Sequence, residues 1–338
     1  MDGGTSIRLL SRLGKLVRGA QESLGRIGNK GGTVGKAARN KAARSTPTAR
    51  RTPARPPAGR APWGWIGLAV ALAATVAAVV LWQTGQPGDT SHPVALTHVH
   101  GLGINPADGT LYVATHDGLY QIPADGQARL VGSGRQDTMG FTIAGPNQFL
   151  ASGHPAPGQG GPPHLGLIES GDGGVTWTTR SLAGTADFHA LRFGHDTVYG
   201  YNSTTGQLIT STDKVNWQTR ASLSLRDFDL SPTDPQTLLA TTQTGLQRST
   251  DGGTTWVSAG GPPILLLAWE TADRLWGVTN FGDVLRSADG GSSWTPSGKL
   301  SGQVAAFAAH DGTLYASVHE RGILRSTDHG SAWTTVYA

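Results

Sequence analysis

Residues 249–256 read STDGGTTW, and the chain repeats this stretch as SGDGGVTW (170–177), SADGGSSW (287–294) and STDHGSAW (326–333). Ser, Asp, Gly and Trp hold places 1, 3, 5 and 8 in every copy, while STDKVNW (211–217) is a fifth copy, one residue short and without the glycine. The tryptophans fall at 177, 217, 256, 294 and 333, at intervals of 40, 39, 38 and 39. A fixed period of this length marks a repeat architecture in which each unit stacks on the next.

Outward from the box, each unit carries an apolar run, a polar turn, a second strand such as TLLATT (237–242) or TLYASV (313–318), and a Gly-Leu or Gly-Ile pair. FDLSPTDPQTLLATTQTGLQRSTDGGTTW (228–256) shows the order in full, and a sixth unit without a box (100–130) opens the region. Six units of four short strands predict an all-β fold, a six-bladed β-propeller over residues 95–338. In this frame Asp172, Asp251, Asp289 and Asp328 accept backbone N–H groups across a tight turn, with Asp213 in the short copy. The glycines permit positive φ and the tryptophans pack between blades. These aspartates are expected to be structural.

The box resembles the Asp-box of bacterial neuraminidase (BNR) repeats, which in that family forms the turn between the third and fourth strands of a blade. HVHGLG (98–103), THDGLY (115–120), DTMGF (137–141), ASGHP (151–155) and ADFHAL (186–191) are similar to segments of a family of bacterial exported propellers. That family is labelled exo-α-sialidase-like or glycosyl hydrolase-like, and the resemblance implies a glycan-directed activity. The residues argue otherwise. A sialidase holds its substrate carboxylate with three arginines and pairs a tyrosine nucleophile with a glutamate. Tyr120-Gln121-Ile122-Pro123 has glutamine where the Phe/Tyr-Arg-Ile-Pro motif needs arginine. Arg248, Arg286 and Arg325 recur beside the boxes as blade-surface residues, leaving Arg226 and Arg321 as site-face arginines. Of Glu169, Glu270 and Glu320, only Glu320 is well placed, so the candidate catalytic groups are Asp117, Asp227, Glu320 and Arg226.

Charge divides the chain. Residues 1–60 carry fourteen Lys and Arg against two acids, and the remainder has thirteen basic and twenty-one acidic residues, 13 − 21 = −8. The basic balance belongs to the tail, so a propeller that binds nucleic acid is not expected. Trp63–Trp82 is a run of twenty uncharged residues, at ~1.5 Å per residue long enough for a bilayer core of roughly 30 Å. Tryptophans stand at both ends and basic residues on the N-terminal side only. The expected plan is a basic, mostly disordered cytoplasmic tail (1–61), a single transmembrane helix (62–82), a linker (83–94) and an extracytoplasmic propeller at the cell membrane.

Boxes mark one face of a propeller, so a ligand is expected on the other, at the mouth of the channel. Alignment of the units places His100, Met139, His189, Arg226, Leu265 and Val304 at one inner-strand position, with His98 leaning to the same side as His100. His116, His154 and His319 end second strands on that face. His195 and His310 belong to the opposite face, His329 to a box and His92 to the linker. Several imidazoles and one thioether predict a copper or zinc site built from His98, His100, His116, Met139, His154, His189 and His319. A glycan or envelope protein as ligand, with the propeller a non-catalytic scaffold or receptor, is the alternative. The second blade also has a long uncharged Gly/Pro-rich connection, 153–166, which includes His164 and is expected to rim the channel.

Overall fold

The computed structural model describes residues 94–338 as six four-stranded antiparallel sheets in consecutive order. The expected tail, transmembrane helix and residues 83–93 of the linker lie outside the described residues. The inner strands are Val99–Ile104, Asp137–Gly145, Phe188–Gly194, Leu225–Leu230, Ile264–Thr271 and Val304–His310 for blades 1 to 6. Each is followed by strands B, C and D of the same blade, so among the described residues every sheet is drawn from one consecutive stretch of chain.

Strands B are almost wholly buried, Leu111–Thr115 and Leu238–Thr242 being the clearest cases, because both faces of each sheet are covered by neighbouring blades. The core is accordingly divided into six layers, one per blade interface. Leu150 and Leu167 of blade 2 pack with Phe188, Leu191 and Val198 of blade 3, and Leu239 and Leu246 of blade 4 with Leu267 and Leu275 of blade 5. The ring closes in the same way: Val99, Val113 and Tyr120 of blade 1 share a layer with Ala306, Ile323 and Tyr337 of blade 6, and the Tyr337 hydroxyl donates to the Val94 carbonyl.

The repeated turns join strands C and D and make one hydrogen-bonding pattern. In blade 4, Ser249 Oγ donates to Asp251 Oδ1 at 2.8 Å and accepts the Gly253 amide at 2.9 Å. Asp251 accepts the Thr255 amide at 2.9 Å and its hydroxyl at 2.6 Å, and Trp256 Nε1 returns to the Gly253 carbonyl at 2.9 Å. Gly253 has φ +88°, and a Cβ there would stand 2.9 Å from Leu208 of the preceding blade. Glycine is needed both for the left-handed turn and for the blade contact. In the short copy Asp213 accepts the amides of Val215 and Asn216, and Lys214 takes the left-handed place at φ 64°.

All six inner strands carry a register shift at one equivalent place. The extra residues are His100, Met139, His189, Arg226 and Leu265, and in blade 6 Ala305. Ala305 replaces the expected Val304, which is buried. A bulge inserts one unpaired residue and bends its strand, turning that residue out of the ladder.

Two outcomes follow for stability. Gly253→Ala is expected to destabilise the propeller by more than about 1 kcal/mol in urea unfolding, since the alanine is strained and collides across a blade interface; an unchanged midpoint contradicts this. Hydrogen bonds from Thr176 hold the Asp172 carboxyl down at about 2, and those from Thr255 do the same for Asp251. A carboxyl lowered by folding contributes stability that is complete above its unfolded value near 4 and lost as pH falls through about 2. The melting temperature should therefore drop between about pH 4 and pH 2, and Asp251→Asn should flatten that drop.

Candidate functional site at the channel mouth

The inner strands enclose a central cavity of about 1210 Å³ whose wall includes His98, His100, Met139, His189, Arg226 and His319. At its rim on blades 1 to 3, away from the boxes, imidazoles and carboxylates alternate. His116 Nδ1 lies 3.1 Å and His100 Nε2 3.4 Å from Asp137 Oδ1, and the two rings approach each other at 3.5 Å. The other oxygen, Asp137 Oδ2, is 3.2 Å from His154 Nδ1. His154 Nε2 in turn lies 3.6 Å from Asp187 Oδ2, which His189 Nε2 meets at 2.9 Å and Ser203 Oγ at 2.9 Å.

The backbone explains this convergence. Asp137 and His154 are directly opposed in the ladder between strands A and B of blade 2. Gly153 makes the close approach possible: it has φ +143°, and a Cβ there would fall 1.8 Å from the Asp137 carbonyl oxygen. His100 and His189 are bulge residues, so they leave the ladder on the channel side. His98 precedes the strand in a left-handed conformation, φ 49°, and its ring centroid is 5.6 Å from that of His116. The turn at His98, rather than strand alternation, brings it to the group. His164 closes the long connection of blade 2 and stands 5.4 Å, centroid to centroid, from His154.

Asp137 and Asp187 are buried, at 8% and 6% exposure. Asp137 Oδ1, Asp187 Oδ1 and His164 Nδ1 are each fully enclosed and have no aligned hydrogen-bond partner among the described residues; at Asp137 Oδ1 the two imidazoles are close enough for charge attraction but are not aimed as donors. Burial presses the His100 imidazole below its ordinary range; Asp137 opposes this and the neighbouring histidines add to it. The Asp187 carboxyl is pushed up by burial, but the hydrogen bond and charge of His189, Ser203 and the charge of His154 outweigh that and hold it at about 2. His100 is thus biased toward its neutral form, and Asp187 toward its ionised one.

Other candidates stand apart. His319 has its side chain 72% exposed, with Glu320 3.8 Å away as its neighbour. Met139 lines the cavity, and two groups of three His and Asp residues, His100–His116–Asp137 and His154–His164–Asp187, have ligating atoms within 4.8 Å of one another. Asp117 accepts the Thr97 hydroxyl at 2.8 Å. Asp227 is held by Arg192 Nη2 at 2.7 Å and by the Leu267 amide at 2.9 Å, tying blades 3, 4 and 5 together. Glu169 pairs with Arg180 and Lys214, and Glu270 accepts the Gly312 amide. Arg226 lies on the cavity wall.

Reasoning from the sequence missed Asp137 and Asp187. The signal was there: each stands two residues before its bulge residue, the register place that His98 fills in blade 1.

No protein-family model matches the chain, and no curated protein matches it in sequence. Solved structures do match in fold. A GH74 enzyme from Niastella koreensis is 18% identical with a TM-score of 0.52, over 72% of this chain and 38% of its own. The GH74 xyloglucanase from Xanthomonas campestris is 19% identical with a TM-score of 0.50, over the same shares. A chain of a nidogen/laminin complex is 12% identical with a TM-score of 0.53, over 65% of this chain and 89% of its own. The chain spans well under half the length of the two GH74 enzymes, and the likeness is one of the propeller fold.

In chelator-treated protein, His100 should titrate below about 6.5 by NMR, and Asp137→Asn should lower it further, because the carboxylate is what opposes burial. A His100 midpoint above 7 contradicts the described burial.

Proposed function

We propose that this is a membrane-anchored extracytoplasmic propeller whose channel mouth binds a transition metal, zinc or copper, through His100, His116 and Asp137. The observation that carries the reading is the buried Asp137 Oδ1, which has no hydrogen-bond donor aimed at it while two imidazoles crowd it. An enclosed carboxylate oxygen costs free energy unless something positive satisfies it. A cation held by that oxygen and two neutral imidazoles does so, and the burial that keeps His100 neutral leaves its lone pair free for a metal.

Two nitrogens and a carboxylate oxygen suit Zn²⁺ and Cu²⁺ and leave a position open for a further ligand. Asp137 would also orient the site, since its second oxygen engages His154. The apolar run at 62–82 would hold the propeller outside the membrane, with the basic tail in the cytoplasm. The glycoside-hydrolase alternative rests on likeness of fold, with Asp227 already engaged by Arg192, and a plain scaffold gives the enclosed carboxylate no role.

Full-length protein in detergent, produced without a histidine tag, should retain zinc or copper by elemental analysis and bind either in a competition titration at neutral pH. At free metal about 100 times Kd, binding should stabilise the fold by about 2.7 kcal/mol. His116→Ala should abolish binding at this group. Flat titrations with both metals overturn the reading.

A further inference from the structure

We infer that the rim holds a second metal site, formed by His154, His164 and Asp187, joined to the first through the Asp137 carboxylate. This rests on the reading of the channel mouth as a metal-binding surface, and it assigns a task to the long connection of blade 2.

The three residues come from different parts of the fold: His154 ends strand B of blade 2, His164 closes the connection 155–166, and Asp187 precedes the inner strand of blade 3. Ligating atoms of all three lie within 4.8 Å of one another. The Asp187 side chain is only 8% exposed, and its two oxygens are used differently. Oδ2 takes His189 and Ser203, while Oδ1 is enclosed and unpartnered. His164 Nδ1 is likewise enclosed and unpartnered.

His154 supplies the third lone pair. Its Nδ1 lies 3.2 Å from Asp137 Oδ2, so the Nδ1–H donates to that carboxylate and Nε2 carries no proton in the neutral ring. Nε2 faces Asp187 across 3.6 Å. The unprotonated His154 nitrogen and the Asp187 carboxylate are acceptors that repel one another unless a cation lies between them, and the neighbouring His164 ring offers a further nitrogen. A divalent ion satisfies all three at once. His189 and Ser203 would then hold the ligating carboxylate from behind, as supporting groups do in metal sites.

The link to the first group is a single carboxylate. Asp137 Oδ1 faces His100 and His116 while Oδ2 fixes the tautomer of His154, so the ligand of one ion is the orienting group for a ligand of the other. Occupancy of the second site would also fasten the Gly/Pro-rich connection to the rim through His164. Residues 157–163 of that connection are exposed.

The test is metal stoichiometry on the full-length, untagged protein in detergent, with Zn²⁺ and separately with Cu²⁺. Wild type should bind two equivalents, and His164→Ala and Asp187→Asn one each. His116→Ala should retain one, bound at the second site. Metal-free melting of His164→Ala serves as the folding control, since His164 lies at the end of a surface connection. If wild type binds one equivalent that His116→Ala removes and His164→Ala keeps, the second site is overturned and the first stands. If the one equivalent is instead removed by His164→Ala and kept by His116→Ala, the second site stands and the first falls. No binding by wild type overturns both.

Discussion

A four-stranded blade has two apolar faces and can bury neither by itself. This constraint shapes everything else in the propeller, because burial comes only from the neighbours, and a row of such sheets leaves no raw face only when it closes into a ring. The six core layers follow, each drawn from two blades, with the layer between Val99 and Tyr337 as the closure. The box turns serve the same constraint. Their glycine lets the turn lie against the preceding blade, as Gly253 does against Leu208, and their aspartate holds the turn rigid enough to keep that contact.

Closure of the ring brings six inner strands side by side around one cavity, and their bulges then decide what the cavity displays. A bulged residue is released from the ladder, so its identity is free of the alternation that fixes the core. His100, Met139, His189, Arg226, Leu265 and Ala305 share one structural place and have almost nothing else in common. The four full boxes, whose glycines lie against the preceding blade, keep the same residues at places 1, 3, 5 and 8. Where the repeat is uniform it serves packing, and where it diverges it has been released for something else.

That contrast also explains what the sequence disclosed. The period of the tryptophans, the strand pattern and the alignment of inner strands led to six blades and to an inner-strand position that is bulged in five of them. Blade 6 slipped by one, because Val304, Ala305 and Ala306 are all apolar and no polar side chain marks the bulge. Histidines announced themselves by type, but their partners did not. Asp137 and Asp187 were passed over among many aspartates, and only the fold shows that they are buried among imidazoles. His164 was visible as part of an unusual connection, yet its approach to His154 depends on how that connection returns. Conversely, His319 matched the pattern of a strand end and proved to be exposed beside Glu320.

The rim is therefore best understood by its acceptors. A propeller could satisfy Asp137 and Asp187 with backbone amides, as it satisfies Asp227 with Leu267, or with arginine, as it does with Arg192. On blades 1 to 3 it surrounds the carboxylates with imidazoles, whose nitrogens are acceptors as readily as donors, and places Gly153 where the backbone must yield to bring His154 onto Asp137. Burial favours neutral imidazole at His100, which then has a lone pair as well as a proton. The fold thus closes the Asp227 network on one side of its channel and leaves enclosed carboxylate oxygens among imidazoles at the mouth.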